Sequence, residues 1–314
     1  MEHKIRNAII MGCILALLLL LPLLVKTDYI INFSILVYLY VVITQSWNIV
    51  GGYAGQVNIG QSAFFGMGAL VTRMIWVSGV PIYIALVAGG LSSLVLGAFI
   101  IMPALRLKGA YFAIGTLALA VIIRITIGNI LPDLSFLPGK YLAEYALAPR
   151  YYTSLGLMVI TIIAIYLIVN SRLGLGMVAI REEEDAAGAS GINTFRYKII
   201  ALSVSSFFAG MAGGIYAYYQ ASYYPYTPFG LLWAFEPILI TFIGGTGTIV
   251  GPTIGAVGYV VLKELFAITL GEVSVIVFGT LFILVVLFLP GGLIEASTKV
   301  LRLVARLSKG SQTL

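Results

Sequence analysis

Long apolar runs, separated by short stretches of glycine, amide and charge, occupy most of the chain. Each run is about twenty residues, the length a helix needs to cross about 30 Å of hydrocarbon. The pattern predicts ten spans, near residues 8–25, 30–50, 58–78, 82–103, 110–131, 151–170, 198–221, 232–250, 251–270 and 273–290. The runs are continuous rather than alternating, which disfavours a β-barrel, and a helix satisfies its own backbone in lipid. The expected fold class is an all-α integral membrane protein, a polytopic bundle of about ten transmembrane helices in one domain over 1–314, with a tail at 291–314. The third span is the weakest, diluted by Gln56, Asn58, Gln61 and glycines, and the eighth and ninth share a glycine-rich turn. The first run is followed by Lys26-Thr27-Asp28 rather than a small-residue cleavage site, so it reads as a span and not a signal peptide.

Composition agrees with lipid as the solvent: 61% of residues are hydrophobic and 10% charged, against roughly 25% charged in soluble domains. The net charge of +6 then belongs to basic loops on one side of a membrane rather than to nucleic-acid binding. With the N-terminus inside, twelve lysines and arginines fall on the cytoplasmic side, among them Lys4, Arg106, Arg172, Arg181, Arg196, Lys198 and Arg302. Three or four fall outside: Lys26, Lys140, Arg150 and, near the boundary, Lys263. The positive-inside rule places both termini and the 171–198 loop in the cytoplasm of a multi-pass cell-membrane protein.

One cysteine (Cys13) and one histidine (His3) leave no zinc-type ligand set and no hydrolase triad. Gly244-Gly245-Thr246-Gly247-Thr248 is glycine-rich but lacks the lysine of a phosphate-binding loop. The expectation is a chain that binds no cofactor, holds no metal, catalyses nothing and hydrolyses no ATP.

Polar residues inside spans are costly and mark function or helix contacts. Arg124 in the fifth span calls for a partner such as Glu236, Glu264 or a helix-end carbonyl, and Arg73 reads as an anchor near an outer end. Glu236 and Glu264 lie too near the outer face for an ion-coupling carboxylate. The amides Gln45, Asn48, Gln56, Asn58 and Gln61 surround Gly51–Gly55; they read either as interhelical hydrogen-bonding groups or as the lining of a translocation path. The tyrosines at 216, 218, 219, 223, 224 and 226 read first as an interfacial aromatic belt. Gly51–Gly55 and Gly244–Gly247 echo each other at the same predicted face, a hint of two related halves.

The 171–198 segment departs from everything around it. Four acids in a row, Glu182 to Asp185, stand among Arg172, Arg181, Arg196 and Lys198. Good helix formers at 176–190 predict one or two short helices, with Met177, Ile180 and Ala187 as a narrow apolar stripe. Gly188 and Gly191 should break the helix and Asn193-Thr194 cap the next one. The plain reading is a solvated loop; the sharper one is a handle for another protein.

Asp185-Ala186-Ala187-x-x-x-Gly191 resembles the E-A-A-x-x-x-G signature of ABC importer permeases, with Asp for the leading Glu. Ala179-Ile180-Arg181-Glu182, Trp47-Asn48-Ile49-Val50-x-Gly52-Tyr53-Ala54-Gly55, Pro103-Ala104-Leu105-Arg106 and Gly244-Gly245-x-Gly247-Thr248-x-x-Gly251-Pro252 extend the match over about 35–292. In these motifs the chain resembles the branched-chain amino acid (leucine/isoleucine/valine) ABC permease family. The resemblance implies a homologous second permease subunit, two cytoplasmic ABC ATPase subunits and an extracytoplasmic solute-binding protein. It implies that Ile180, Arg181, Glu182, Glu183, Glu184, Asp185, Ala186, Ala187 and Gly191 form the ATPase-coupling element, and that the spans carry branched-chain amino acids. Family members often carry a T-G-G-x-x-G-L loop after the fifth span, where this chain reads Leu131 to Lys140; that difference leaves urea, short amides or other amino acids open as cargo. A stand-alone ion-coupled carrier is the alternative of another class.

Overall fold

The computed structural model describes residues 2–25, 27–101, 107, 109–131 and 135–270, with isolated positions between 273 and 283. Its α-helices, in chain order, are α1 Glu2–Leu24, α2 Asp28–Asn48, α3 Gln61–Val77, α4 Ile82–Leu96, α5 Ala110–Ile130, α6 Gly139–Ala143, α7 Leu147–Val169, α8 Arg172–Glu182, α9 Glu184–Ala189, α10 Thr194–Tyr219, α11 Leu231–Gly244 and α12 Val250–Leu270. Two strands of two residues, β1 Ser135–Phe136 and β2 Ser222–Tyr223, pair antiparallel.

Six helical segments among the described residues are long and apolar enough to cross a membrane: Asp28–Tyr53, Ile82–Phe99, Ala110–Ile130, Leu147–Val169, Thr194–Tyr219 and Val250–Thr269. Six such segments leave the expected count of ten unconfirmed, and two of the expected spans are shorter helices than the hydropathy pattern suggests. α3 has 17 residues, about 25 Å at 1.5 Å per residue. It starts at Gln61 rather than 58 because Asn58 turns the chain ahead of it, accepting from the Gly60 amide at 2.9 Å. The expected span 232–250 is a 14-residue helix, about 21 Å long. It stops at Gly244, Gly245 takes a positive φ of 119°, and residues 245–249 form the expected turn into α12. The predicted span 273–290 and the tail 291–314 lie outside the described residues apart from isolated positions.

The core is built where backbones touch. α10 packs most extensively on α3 and α4. A Cβ on Gly68 would sit 2.0 Å from the Gly210 carbonyl oxygen, and one on Gly213 would sit 1.8 Å from that of Phe65. Only glycine permits such approach, the packing mode expected where lipid supplies no hydrophobic drive between helices. In α12, Gly251 and Gly255 meet Gly244 of α11, whereas Gly258 faces open space. α2 is the central helix of the other layer. Its buried Ile35, Leu39 and Ile43 join Tyr151 and Leu155 of α7 and Ile240 of α11 in one cluster.

The tyrosine belt is a correction. Tyr224 and Tyr226 are exposed, but Tyr216 packs on Phe65 and Trp233. Tyr218 meets Trp76 edge-on, Tyr219 donates to Asn32 at 3.1 Å, and Tyr223 is buried. α10 is central, so side chains near its C-terminus meet neighbouring helices, not an interface with water.

Two arginines from other helices close that same end of α10. Arg73 of α3, 2% exposed, donates to the carbonyls of Ala217, Gln220 and Ala221 at 3.0–3.2 Å. Arg150 of α7, also 2% exposed, donates to Tyr218 O at 2.9 Å and Ala146 O at 2.8 Å. Its guanidinium lies 3.8 Å from the Tyr145 ring centre and 4.3 Å from that of Tyr218. The last carbonyls of a helix lack intrahelical donors and carry partial negative charge; these cations supply both needs. Arg73 is thus a buried cap rather than a surface anchor. Outside the spans, burial pushes the Tyr145 phenol up from its ordinary value although Arg150 pulls it back, so it stays neutral beside the cation.

The partner expected for Arg124 is also corrected. Glu236 is already held, accepting from Tyr40 at 2.6 Å, Tyr259 at 2.7 Å and Lys263 at 2.8 Å. Arg124 is half-buried on α5 and has no hydrogen bond or ion pair among the described residues.

Candidate functional site

At the opposite end of the bundle, α8 and α9 lie across the entry to α10. Ser171 caps α8, its hydroxyl accepting from the Leu173 amide at 3.1 Å. Glu183 is extended, with φ −158° and ψ 105°, so of the one or two short helices expected the segment forms two. The break after α9 falls at Ser190 and Gly191, where Gly191 takes a positive φ of 86°; Gly188 lies inside the last turn of α9. Asn193 caps α10 as expected, accepting from the Arg196 amide at 3.1 Å.

The stripe predicted at 177, 180 and 187 faces inward: Met177, Ile180 and Ala187 are buried. The opposite face presents Glu182, Glu183, Asp185 and Ala186 as exposed residues. Glu184 departs from its neighbours. It turns inward and accepts from the buried Lys198 ammonium at 2.6 Å, stapling α9 to α10. The acidic run is therefore divided between an exposed face and one structural ion pair.

Arg181 connects this unit to the end of α2. Past Asn48, α2 continues as one π-helical turn, Ile49–Tyr53, a widened turn often found at functional positions. The Arg181 Nη1 donates to the Gly52 carbonyl of that turn at 2.9 Å. Its Nε and Nη2 donate to Glu182 at 3.1 and 2.6 Å. Gly55 and Gly247 both have positive φ, 69° and 70°. A Cβ on Gly55 would stand 2.9 Å from Arg181 Cγ, and one on Gly247 would stand 2.5 Å from Nη1. The two glycine stretches that echo each other in sequence thus meet at one point, with Arg181 against both.

The amides hold the same joint. Asn48 binds the 245–249 turn twice: its Oδ1 accepts from the Gly247 amide at 3.0 Å and its Nδ2 donates to Thr248 O at 2.8 Å. Gln45 donates to Ile249 O and to Thr253 Oγ1. Asn58 donates to Gln61 at 3.0 Å, and Gln61 donates to Ser46 and Ser205. Gln45, Asn48, Asn58 and Gln61 are fully buried; Gln45 and Gln61 join helices, Asn48 joins α2 to the 245–249 turn, and Asn58 bonds within its own loop. Gln56 differs: it lines a cavity of about 320 Å³ with Gly55, Val57, Gly109, Ala110, Phe112 and Ala113. Among the described residues no group of three or more His, Cys, Asp or Glu could hold a metal ion.

Sequence reasoning missed the union of Arg181, Gly52 and Gly247. The echo between the glycine stretches and their placement at one face were the available signal. Chemically, the site offers an exposed acidic face on two short helices, backed by a guanidinium that reaches the joint between α2, α11 and α12.

Comparison with known proteins agrees with this architecture. The family described as "Branched-chain amino acid transport system / permease component" matches residues 29–286. The chain is 26% identical to the high-affinity branched-chain amino acid transport system permease protein LivM of Salmonella typhimurium, covering 90% of this chain and 74% of that protein. It is also 26% identical to a probable branched-chain amino acid transport permease protein LivM of Methanocaldococcus jannaschii, covering 82% and 90%. A shorter stretch, 28% of the chain, is 29% identical to the guanosine ABC transporter permease protein NupQ of Bacillus subtilis. No solved structure matches. With the family match spanning most of the chain and the helices of a membrane protein within it, this chain belongs to the branched-chain amino acid transport permease family.

Proposed function

We propose that this chain is a permease subunit of an ATP-driven importer that forms the translocation path for branched-chain amino acids. Two cytoplasmic ATPases, a homologous permease and an extracytoplasmic binding protein complete the assembly, and the α8–α9 end and both termini face the cytoplasm. The observation that carries the reading is the division of labour within α8 and α9. Met177, Ile180 and Ala187 seat the helices on the bundle while Glu182, Glu183, Asp185 and Ala186 are left outward. A short rigid element with an exposed polar face suits a seat in another protein's groove better than a slack connector would. Branched-chain amino acids come first as cargo because the relatives named for them cover most of the chain. In this reading Gln45 and Asn48, bound to the 245–249 turn, close the cytoplasmic end of the path. Gln56, Asn58 and Gln61 join them as lining when the turn withdraws.

An ion-coupled carrier acting alone is the second reading. Against it stands Glu236, whose charge is balanced by Lys263 and whose oxygens accept from two tyrosines. A coupling carboxylate has to be open to its ion, and both Glu236 oxygens are already taken by side chains of α2 and α12.

The test uses the complex purified from native membranes by a tag on this chain and reconstituted in liposomes. Reversing Glu183 and Asp185 to lysine leaves the Glu184–Lys198 pair in place. The expected result is loss of binding-protein-stimulated ATPase activity and of leucine uptake, at least tenfold, with the permease still in the membrane. Uptake at the unaltered rate counts against a coupling role for α8 and α9. Concentration of leucine by this chain alone, on an ion gradient without nucleotide, overturns the importer reading.

A further inference from the structure

We infer that Arg181 is the positioning residue through which α8 moves the glycine joint closing the path, an inference that rests on the proposed coupling role of α8 and α9. A single guanidinium is shared by two acceptors with different fates. Glu182, which takes its Nε and Nη2, is an exposed member of the acidic face, its side chain 68% exposed. Gly52 O, which takes Nη1, belongs to the buried π-helical turn at the end of α2. Five N–H donors in a rigid plane allow arginine to serve both at once, which the point charge of lysine does not.

The joint beyond Gly52 is built to respond. Gly52 itself is pressed against Asn48, where a Cβ would stand 2.0 Å from Oδ1 and 2.7 Å from the Gly247 amide nitrogen. Asn48 in turn holds the 245–249 turn by two bonds. Displacement of Arg181 therefore acts on Gly52 by a hydrogen bond and on Gly55 and Gly247 by contact, since neither glycine leaves room for a methyl group beside it. A partner that engages Glu182 competes for the guanidinium. Gly52 and the 245–249 turn are then freed or pushed together. Met177 packs α8 on the buried cluster of Ile49, Val50 and Tyr53, and the polar part of the link is one side chain, 34% exposed, whose bond can be made and broken in each cycle.

The experiment measures how many ATP molecules are hydrolysed per leucine imported, by the whole complex in liposomes. With Arg181→Ala, binding-protein-stimulated ATPase activity should stay within twofold of the unaltered complex, because Glu183, Asp185 and Ala186 still form the docking face. The ratio of ATP hydrolysed to leucine imported should rise at least tenfold. Arg181→Lys should give an intermediate ratio. An unchanged ratio with Arg181→Ala overturns the inference, and so does joint loss of ATPase stimulation and uptake, which would place Arg181 in docking. If the alanine variant fails to assemble, the lysine variant decides: a raised ratio supports the inference, while an unchanged ratio or failure to assemble overturns it. Uptake by the unaltered complex that needs no ATP would instead sink the importer reading, before any variant is compared.

Discussion

Arginines secure both ends of this bundle, yet they do so in opposite ways. At the end formed by residues 137–146 and 217–230, Arg73 and Arg150 are buried and donate to backbone carbonyls, Arg73 to those of Ala217, Gln220 and Ala221 and Arg150 to those of Tyr218 and Ala146. Aromatic rings flank them: Trp76 and Tyr223 beside Arg73, Tyr145 and Tyr218 beside Arg150. At the α8–α9 end, Arg181 gives one hydrogen bond to a backbone carbonyl and two to an exposed carboxylate. A cation taken out of water is costly unless well paired, and strongly held once it is. An exposed cation gains little and loses little. The first arrangement welds helices together; the second permits movement. In the proposed importer, whose path opens at one end at a time, the same residue type at different depths would give one fixed end and one movable end.

Arg73→Ala is the most damaging way to break the comparison. It orphans the carbonyls of Ala217, Gln220 and Ala221 at the close of α10. A buried group left without its partner costs about 1–3 kcal/mol, so the variant should lose about 3 kcal/mol or more. Thermal unfolding in detergent, followed by tryptophan fluorescence, should show a clear fall in Tm, since Trp76 lies 5.7 Å from the guanidinium. Arg73→Lys should recover little of the loss, because an ammonium cannot reach three acceptors in one plane. An unshifted transition would mean that the end is not welded by this residue.

This contrast was only partly legible in the chain. Spans such as 110–131 and 198–221 were readable because their hydrophobic runs are long and end in polar residues, and α5 and α10 fall within a few residues of them. α3 and α11 were overextended because a hydropathy reading cannot see where glycine and asparagine turn the backbone. The stripe at Met177, Ile180 and Ala187 was readable because helical periodicity stands out against a polar face. Arg73 and Arg150 looked like boundary cations, since their partners at the end of α10 and just past it lie 68 to 148 residues away. Nothing local distinguishes an arginine that snorkels to water from one that caps a distant helix. The Arg181–Gly52 bond, 129 residues apart, was hidden for the same reason.

Between these extremes stands Lys198, a buried cation at the α8–α9 end. Its bond to Glu184 holds α9 on α10. Glu184→Gln removes the charge and keeps the shape, leaving the ammonium short of its counter-ion. Glu184 retains some contact with water, so the loss should be about 1.5–2 kcal/mol, at the low end of the range for hydrogen bonds to charged groups. Hydrogen exchange should show it locally, with faster exchange across 184–192 and unchanged exchange in α3. If α3 loosened as well, the two ends would not be separable and the comparison would fail.

The smallest effect on stability belongs to Arg181. Its bond to Gly52 is charge-assisted, but the side chain is about one-third exposed, and solvent screens what it gains. Exposed pairs of this kind contribute about 0–1 kcal/mol, so Arg181→Ala should shift Tm far less than Arg73→Ala in the same detergent. Glu182, the other partner, is more exposed still and needs no replacement. The prediction is sharp because it opposes two readouts on one variant: nearly unaltered unfolding together with a large change in coupling. A residue that merely supported the fold would move both in step. A fall in Tm as large as that of Arg73→Ala would show that the α8–α9 end is welded like the other, and that the joint at Gly52 and Gly247 is not where the molecule gives way.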